Sequence, residues 1–500
     1  MPSSIAGPTT GRIMRNAVTA LAIAWSMRVI GLLSVFVLAR MLAPRDFGVM
    51  ALAMSAAALV DVFAALGLRQ ALLRIPQPDR AHYDTAWTIQ VMLLTFLAIL
   101  LASLAPLASW FYHEPALAAV IVVLASRFVF YGVVNIGTID FDRHLQLGRD
   151  LHLRIAVRLG TFATTVGAAV VLRNYWALVI GAVVQALLHA VGSYVVHPFR
   201  PRFSLAKRAE LLGVSLWMFL SSASHTMFRE IEQLVAGRIA SMQVVGFYSV
   251  TKGLSSIFTE EIATALNRVT FVITARDGRT LSEQPERLSV MLGSYAMIAA
   301  LFGLGLASTA GDACVVLLGP QWAGAAPYLR FVGPGAACFA VYKLVISTLQ
   351  ACGEARQGAY LSMSGALFLV GAVTLTAMAG GDALGIARAG AWSTATLLVT
   401  GLVYLAIKSR TSALAMLLSV GRPFTAGLVM FVAVSSIPDV ISLPLAQLTI
   451  EAACGAAVFF VGNAALWWAS GQPAGAEAKL FQLLAAGVAR SFGRPSDERA

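Results

Sequence analysis

The sequence predicts an all-α polytopic membrane protein of about fourteen transmembrane helices, and three observations predict it. Of 500 residues, 58% are hydrophobic and only 12% are charged, whereas a soluble domain is about a quarter charged. The apolar residues fall in unbroken runs, each near the roughly 20 residues that a helix needs to cross the hydrocarbon. The 36 Lys and Arg gather in short segments between those runs, and alternate segments hold most of them, which is the asymmetry that topology imposes. The net charge of +12 is therefore topological, and nucleic acid is not an expected partner.

Taken in order, the stretch 1–15 is polar and carries Arg12 and Arg15. The apolar run 16–38 exceeds a signal-peptide core and no small-residue cleavage site follows it. It is expected to remain as the first span, with the N-terminus in the cytoplasm. Further windows at 47–66, 86–109, 117–137, 153–172 and 176–196 complete a six-helix lobe over 1–196. The segment 197–210 is basic and reads as a cytoplasmic linker. A second six-helix lobe over 211–410 takes windows at 211–235, 243–265, 290–310, 328–351, 359–379 and 386–407. Two additional transmembrane helices, 420–436 and 445–468, occupy 411–470. In the tail 471–500, Leu480, Leu483, Leu484 and Val488 recur at helical spacing, as in an amphipathic helix lying on the membrane. The tail ends in a polar stretch expected to be disordered and cytoplasmic. Cys314, Cys338, Cys352 and Cys454 are scattered singly and match no metal-ligand spacing.

An internal repeat underlies the two lobes. After the first window the chain reads Ala39-Arg40-Met41-Leu42-Ala43-Pro44-Arg45-Asp46-Phe47-Gly48. After the seventh it reads Gly237-Arg238-Ile239-Ala240-Ser241-Met242-Gln243-Val244-Val245-Gly246. Both copies place a small residue and Arg before a short apolar stretch, and a Gly at the opening of the next span. Six is even, so two such lobes would enter the membrane in the same direction. They would be related by a pseudo-two-fold along its normal, as in transporters whose halves rock around a central cavity.

The same residues carry a family resemblance. Ala39-Arg40, Leu42-Ala43-Pro44, Phe47-Gly48, Gly67-Leu68 and Ala71-Leu72 resemble the N-terminal signature of the Wzx-like polysaccharide flippases of the MATE/MOP superfamily. Glu232 through Arg238 with Gly246-Phe247-Tyr248-Ser249 resembles that family's second-lobe motif. Gly319-Pro320-Gln321-Trp322 and the later Leu349-Gln350-Ala351-Cys352-Gly353 are similar to its third. The resemblance implies a multi-pass protein of the bacterial inner membrane that flips an undecaprenyl-pyrophosphate-linked oligosaccharide by alternating access. The product would enter exopolysaccharide, lipopolysaccharide or capsule synthesis. Membrane lipids, and a polymerase or other polysaccharide assembly proteins, are the implied partners.

Ionisable residues inside spans are the candidate site, because a charge at mid-membrane costs about 2.5–3.5 kcal/mol and must face protein or water. Arg28, Arg127, Lys252 and Lys343, two from each lobe, would make one cavity cationic and suited to substrate phosphates. Asp61, Glu230 and Glu232 are candidates for coupling to H⁺ or Na⁺, with His225 near them. The blander alternative is that each charge pairs with a neighbour and holds the bundle together; it is preferred for Arg158, near a span end, and for Arg229, beside Glu230 and Glu232. No other cofactor is expected. A cation-exporting MATE-type transporter would want more acids than bases, whereas a lipid II flippase would share the basic cavity. An integral-membrane glycosyltransferase or O-antigen ligase would need larger outward loops, and the chain has no phosphate-binding Gly-x-x-x-x-Gly-Lys-Ser/Thr. The protein is therefore expected not to be an enzyme.

Overall fold

The computed structural model describes residues 29–64, 68–143, 147–211, 216–277, 285–438 and 443–472. Arg28 and the amphipathic tail lie outside these residues. Within them the chain is helical and contains no strand.

The helices are α1 (Val29–Met41), α2 (Pro44–Ala64), α3 (Leu68–Arg74), α4 (Arg80–Tyr112), α5 (Ala116–Gly132), α6 (Ile139–Arg143), α7 (Leu147–Leu172), α8 (Trp176–Val196) and α9 (Arg208–Leu211). They continue as α10 (Leu216–Ile239), α11 (Met242–Asp277), α12 (Pro285–Ser308), α13 (Ala310–Ala313), α14 (Ala326–Ala351), α15 (Ala355–Met378), α16 (Ala383–Lys408), α17 (Ala413–Ser435) and α18 (Pro444–Ala469). Each apolar window of the sequence overlaps one of them within the described residues; the part of 16–38 before Val29 lies outside those residues. Ten are long and apolar enough to cross a membrane, or eleven spans if α5 and its bent continuation through α6 count as one.

Two boundaries differ from the window reading for local reasons. The window at 117–137 breaks at Gly132, and the chain turns by 66° into α6. Asn135, fully buried, makes that corner: its Oδ1 accepts from Gly137 N, and its Nδ2 donates to the carbonyls of His197 and Phe199. The short window at 420–436 is the second part of a 23-residue helix, α17, that starts where the Ser412 hydroxyl caps Ala415 N. The residues added before the window, 413–419, are themselves apolar, and the helix runs on without a break through Arg422 and Pro423. Arg422 is buried in this helix, 6% exposed.

By contacts the chain forms two compact units. The first comprises 1–249 with 317–321, the second 250–316 with 322–500. In the first, α2 packs on α5, α10 and α4, α4 lies along α5, and α8 bridges α5 and α7. Leu52, Leu97, Leu101, Leu117, Ile121 and Phe128 form its core. In the second, α12 packs on α14 and α17, α14 on α16, α15 on α16, and α18 on α17. Leu292, Val341, Leu344, Leu349, Leu402 and Leu405 lie at its centre. Both units leave large apolar side chains bare, among them Ile99, Trp110, Val171 and Val195 in the first and Leu375, Trp392, Ile407 and Val461 in the second. In water such surfaces would associate; against lipid tails they are matched.

Candidate site: a glycine crossing and buried charges

The two copies of the repeat meet. α2 begins at Pro44 and α11 at Met242, and in the first unit these starts cross at closest approach. A Cβ placed on Gly48 would lie 1.8 Å from the Met242 carbonyl oxygen, and one on Gly246 would lie 1.8 Å from the Pro44 carbonyl oxygen. Each glycine stands four residues after the residue that its counterpart touches, so the contact is reciprocal. Only a residue without a side chain allows backbones this near. Asp46 holds the first copy in shape, accepting from Ala43 N at 2.9 Å and from Tyr175 N at 3.0 Å. The third motif also reaches this unit, where Gln321 Nε2 donates to the carbonyl of Ala39 at 2.7 Å.

Below that crossing lie polar groups that the apolar interior would not tolerate unpaired. Glu230 and Gln233, three apart and so on one face of α10, both reach Ser55 of α2. The Ser55 hydroxyl donates to Glu230 Oε2 at 2.7 Å and accepts from Gln233 Nε2 at 2.8 Å. Glu230 also lies 3.9 Å from Arg229, whose side chain is 62% exposed. Glu232, 8% exposed, takes a hydrogen bond from the hydroxyl of Tyr248 in α11. Arg127 of α5 pairs with Asp61 of α2 at 3.1 Å, with side-chain exposures of 14% and 43%. Its guanidinium also meets Met54 Sδ and the rings of Phe128 and Tyr131, while its Nε is buried without a partner.

Of the residues singled out from sequence, the structure thus engages Arg127 with Asp61, Glu230 with Ser55, and Glu232 with Tyr248. Lys252 in α11 and Lys343 in α14 belong to the second unit; both are half-buried and neither is unpartnered. Sequence reasoning passed over Ser55, Gln233 and Tyr248 because neutral polar residues leave no hydropathy signature. It also passed over Glu451 of α18, 7% exposed and hydrogen-bonded by Gln447 one turn away. The sequence Asp140-Phe141-Asp142 has the spacing of a metal-binding carboxylate pair, but Asp140 receives the Tyr83 hydroxyl and Asp142 pairs with Arg69. Among the described residues no His, Cys, Asp or Glu cluster is arranged to hold a metal.

Comparison with known proteins gives three kinds of likeness. Residues 37–327 match the model of a family described as polysaccharide biosynthesis protein. The chain is 25% identical over 381 residues to the succinoglycan biosynthesis transport protein ExoT of Rhizobium meliloti, covering 68% of this chain and 74% of that one. It is 21% identical over 315 residues to the lipopolysaccharide biosynthesis protein WzxC of Escherichia coli, covering 61% and 62% respectively. Among solved structures, the lipid II flippase MurJ in an inward closed conformation matches with a TM-score of 0.67 at 12% identity, over 90% of this chain and 99% of that one. An inward-facing multidrug resistance MATE family transporter of the MOP superfamily matches at 0.52 and 15% identity, over 79% and 99%. At these identities the structural matches show the shared fold.

Proposed function

Because the chain belongs to the polysaccharide biosynthesis protein family, we propose that it is a flippase for an undecaprenyl-pyrophosphate-linked oligosaccharide, working by alternating access in the bacterial inner membrane. Its product enters exopolysaccharide, lipopolysaccharide or capsule assembly, and no covalent step is needed. The transport relatives and the MOP-type fold support this reading.

The observation that carries the mechanism is the reciprocal crossing of α2 and α11 at Gly48 and Gly246. Equivalent residues of two copies touching equivalently is what a local two-fold axis produces. That supports two six-helix lobes, 1–196 and 211–410, hinged about an axis along the membrane normal, with α17 and α18 added after them. The crossing is the closed end of the path in this reading, and parting α2 from α11 opens it.

The bases Arg28, Arg127, Lys252 and Lys343 hold the diphosphate in the same reading. Arg127 is already committed to Asp61, so substrate phosphate competes with a carboxylate for one guanidinium. When phosphate takes Arg127, Asp61 is left without its counter-ion and takes up H⁺ or Na⁺; Glu230 and Glu232 are the further candidates for coupling. Arg suits this exchange because its planar fork binds carboxylate and phosphate alike.

The test is translocation of a fluorescent lipid-linked saccharide by the purified chain in proteoliposomes, paired with polymer export in cells. Wild type moves the lipid, whereas Arg28→Ala and Lys252→Ala reach the membrane and stop export. Unimpaired export by both variants would remove the cationic cavity. Transport of organic cations without lipid-linked saccharide would replace the substrate assignment.

A further inference from the structure

We propose that the strap 200–208, which leads from α8 into the first residue of α9, is an interfacial anchor that binds anionic phospholipid headgroups. The inference rests on depth, attachment and side-chain chemistry, and is independent of which substrate the protein moves.

Depth follows from α4. Its 33 residues span about 50 Å, against a hydrocarbon layer of about 30 Å. Its apolar stretch begins near Trp87, so residues 80–86 stand in the headgroup layer. Attachment follows from three hydrogen bonds to that end of α4. Arg202 N donates to Asp84 Oδ1 at 2.8 Å, Ser204 N to Thr88 Oγ1 at 3.0 Å, and Lys207 N to Thr85 Oγ1 at 3.2 Å. The strap therefore lies where α4 leaves the hydrocarbon and is not a free loop in water.

The side chains divide by face. Two bases are engaged by protein: Arg200, although exposed, donates to the carbonyls of His197, Phe199 and Tyr194, and Lys207 pairs with Glu210. Those turned away are two bases and two apolar groups. Phe203 is 73% and Leu205 39% exposed. Arg202 and Arg208 are exposed, and among the described residues neither meets a carboxylate. Phe203 keeps its place through the Trp87 ring, 5.0 Å between centroids. Alternating bare apolar and unpaired basic groups at headgroup depth match a lipid layer carrying negative charge, into which Phe203 and Leu205 dip while the guanidinia meet phosphates.

The experiment uses the full chain with its four cysteines replaced, a spin label at Phe203→Cys, and vesicles of phosphatidylcholine with or without phosphatidylglycerol. Oxygen is expected to relax the label more effectively than a water-soluble nickel chelate, and the label is expected to sit deeper when phosphatidylglycerol is present. Arg202→Gln with Arg208→Gln should abolish that lipid-dependent shift. Equal access of the nickel chelate in both vesicles overturns the proposal. So does protection that appears only in native membranes and not in vesicles, which would indicate a protein partner instead.

Discussion

At the residue scale, Gly48 and Gly246 act as a pair. Each sits against the other copy's backbone at a distance where a Cβ cannot fit. Gly48→Ala and Gly246→Ala should each destabilise by about 1–3 kcal/mol through overpacking. Once one methyl has parted the helices the second meets less resistance, so the double variant should cost less than the sum. Thermal melts of the three variants in detergent check this, and strict additivity would contradict the reciprocal contact. Arg127 gives a second residue-level prediction. Removing it in Arg127→Ala strands Asp61, which keeps some access to water, so the loss should be about 1–3 kcal/mol. Asp61→Leu in the same chain should recover most of that stability, measured by the same melts as a double-mutant cycle.

At the element scale, the corner after α5 and the chain leading from α8 into the strap are one construction, because Asn135 donates to the carbonyls of His197 and Phe199, just ahead of the strap. Asn135→Ala strands the buried Gly137 N–H and takes one of two donors from each carbonyl, Arg200 keeping the other, and should cost about 1–3 kcal/mol in all. Amide exchange in 199–207 should accelerate with it, while α14 and α16 keep their protection. The far end of the strap adds a pH dependence. His82 holds Asp79 through its backbone N–H and its ring, and keeps that carboxyl below its ordinary range. Lys207 first, then His82, does the same for Glu210. Depressed carboxylates contribute stability above their unfolded pKa and lose it as pH falls through the folded one. The protection factor of the Lys207 amide, taken relative to the intrinsic exchange rate at each pH, should therefore fall as pH drops below the usual carboxylate range. Glu210→Gln should flatten that response.

At the scale of the whole molecule, the orientation is the claim most exposed to test. The strap and the His113 turn lie at opposite ends of α4. With the N-terminus and the strap cytoplasmic, Arg202→Cys should resist a membrane-impermeant maleimide in intact cells, while His113→Cys should react. The reverse pattern would invert every loop assignment made from charge. The contact-based units place α10 and the first turns of α11 with the N-terminal helices, whereas the repeat divides the chain before α10. The two partitions describe different things: the first records packing in this conformation, the second the rigid bodies proposed to move.

The helical membrane class and the order of the apolar windows were legible because lipid imposes one rule on every span, and that rule acts within about 20 consecutive residues. Gly48 and Gly246 could even be matched from their place in the repeat. That they touch could not, since nothing local distinguishes a helix-opening glycine from one pressed against another backbone. The pairing of Arg127 with Asp61, of Glu230 with Ser55 and of Glu232 with Tyr248 was decided by tertiary packing alone, as was the burial of Arg422 and Glu451. Hydropathy weighs each residue by itself, whereas whether a buried charge is free or answered depends on a partner many helices away, brought near only when the bundle closes.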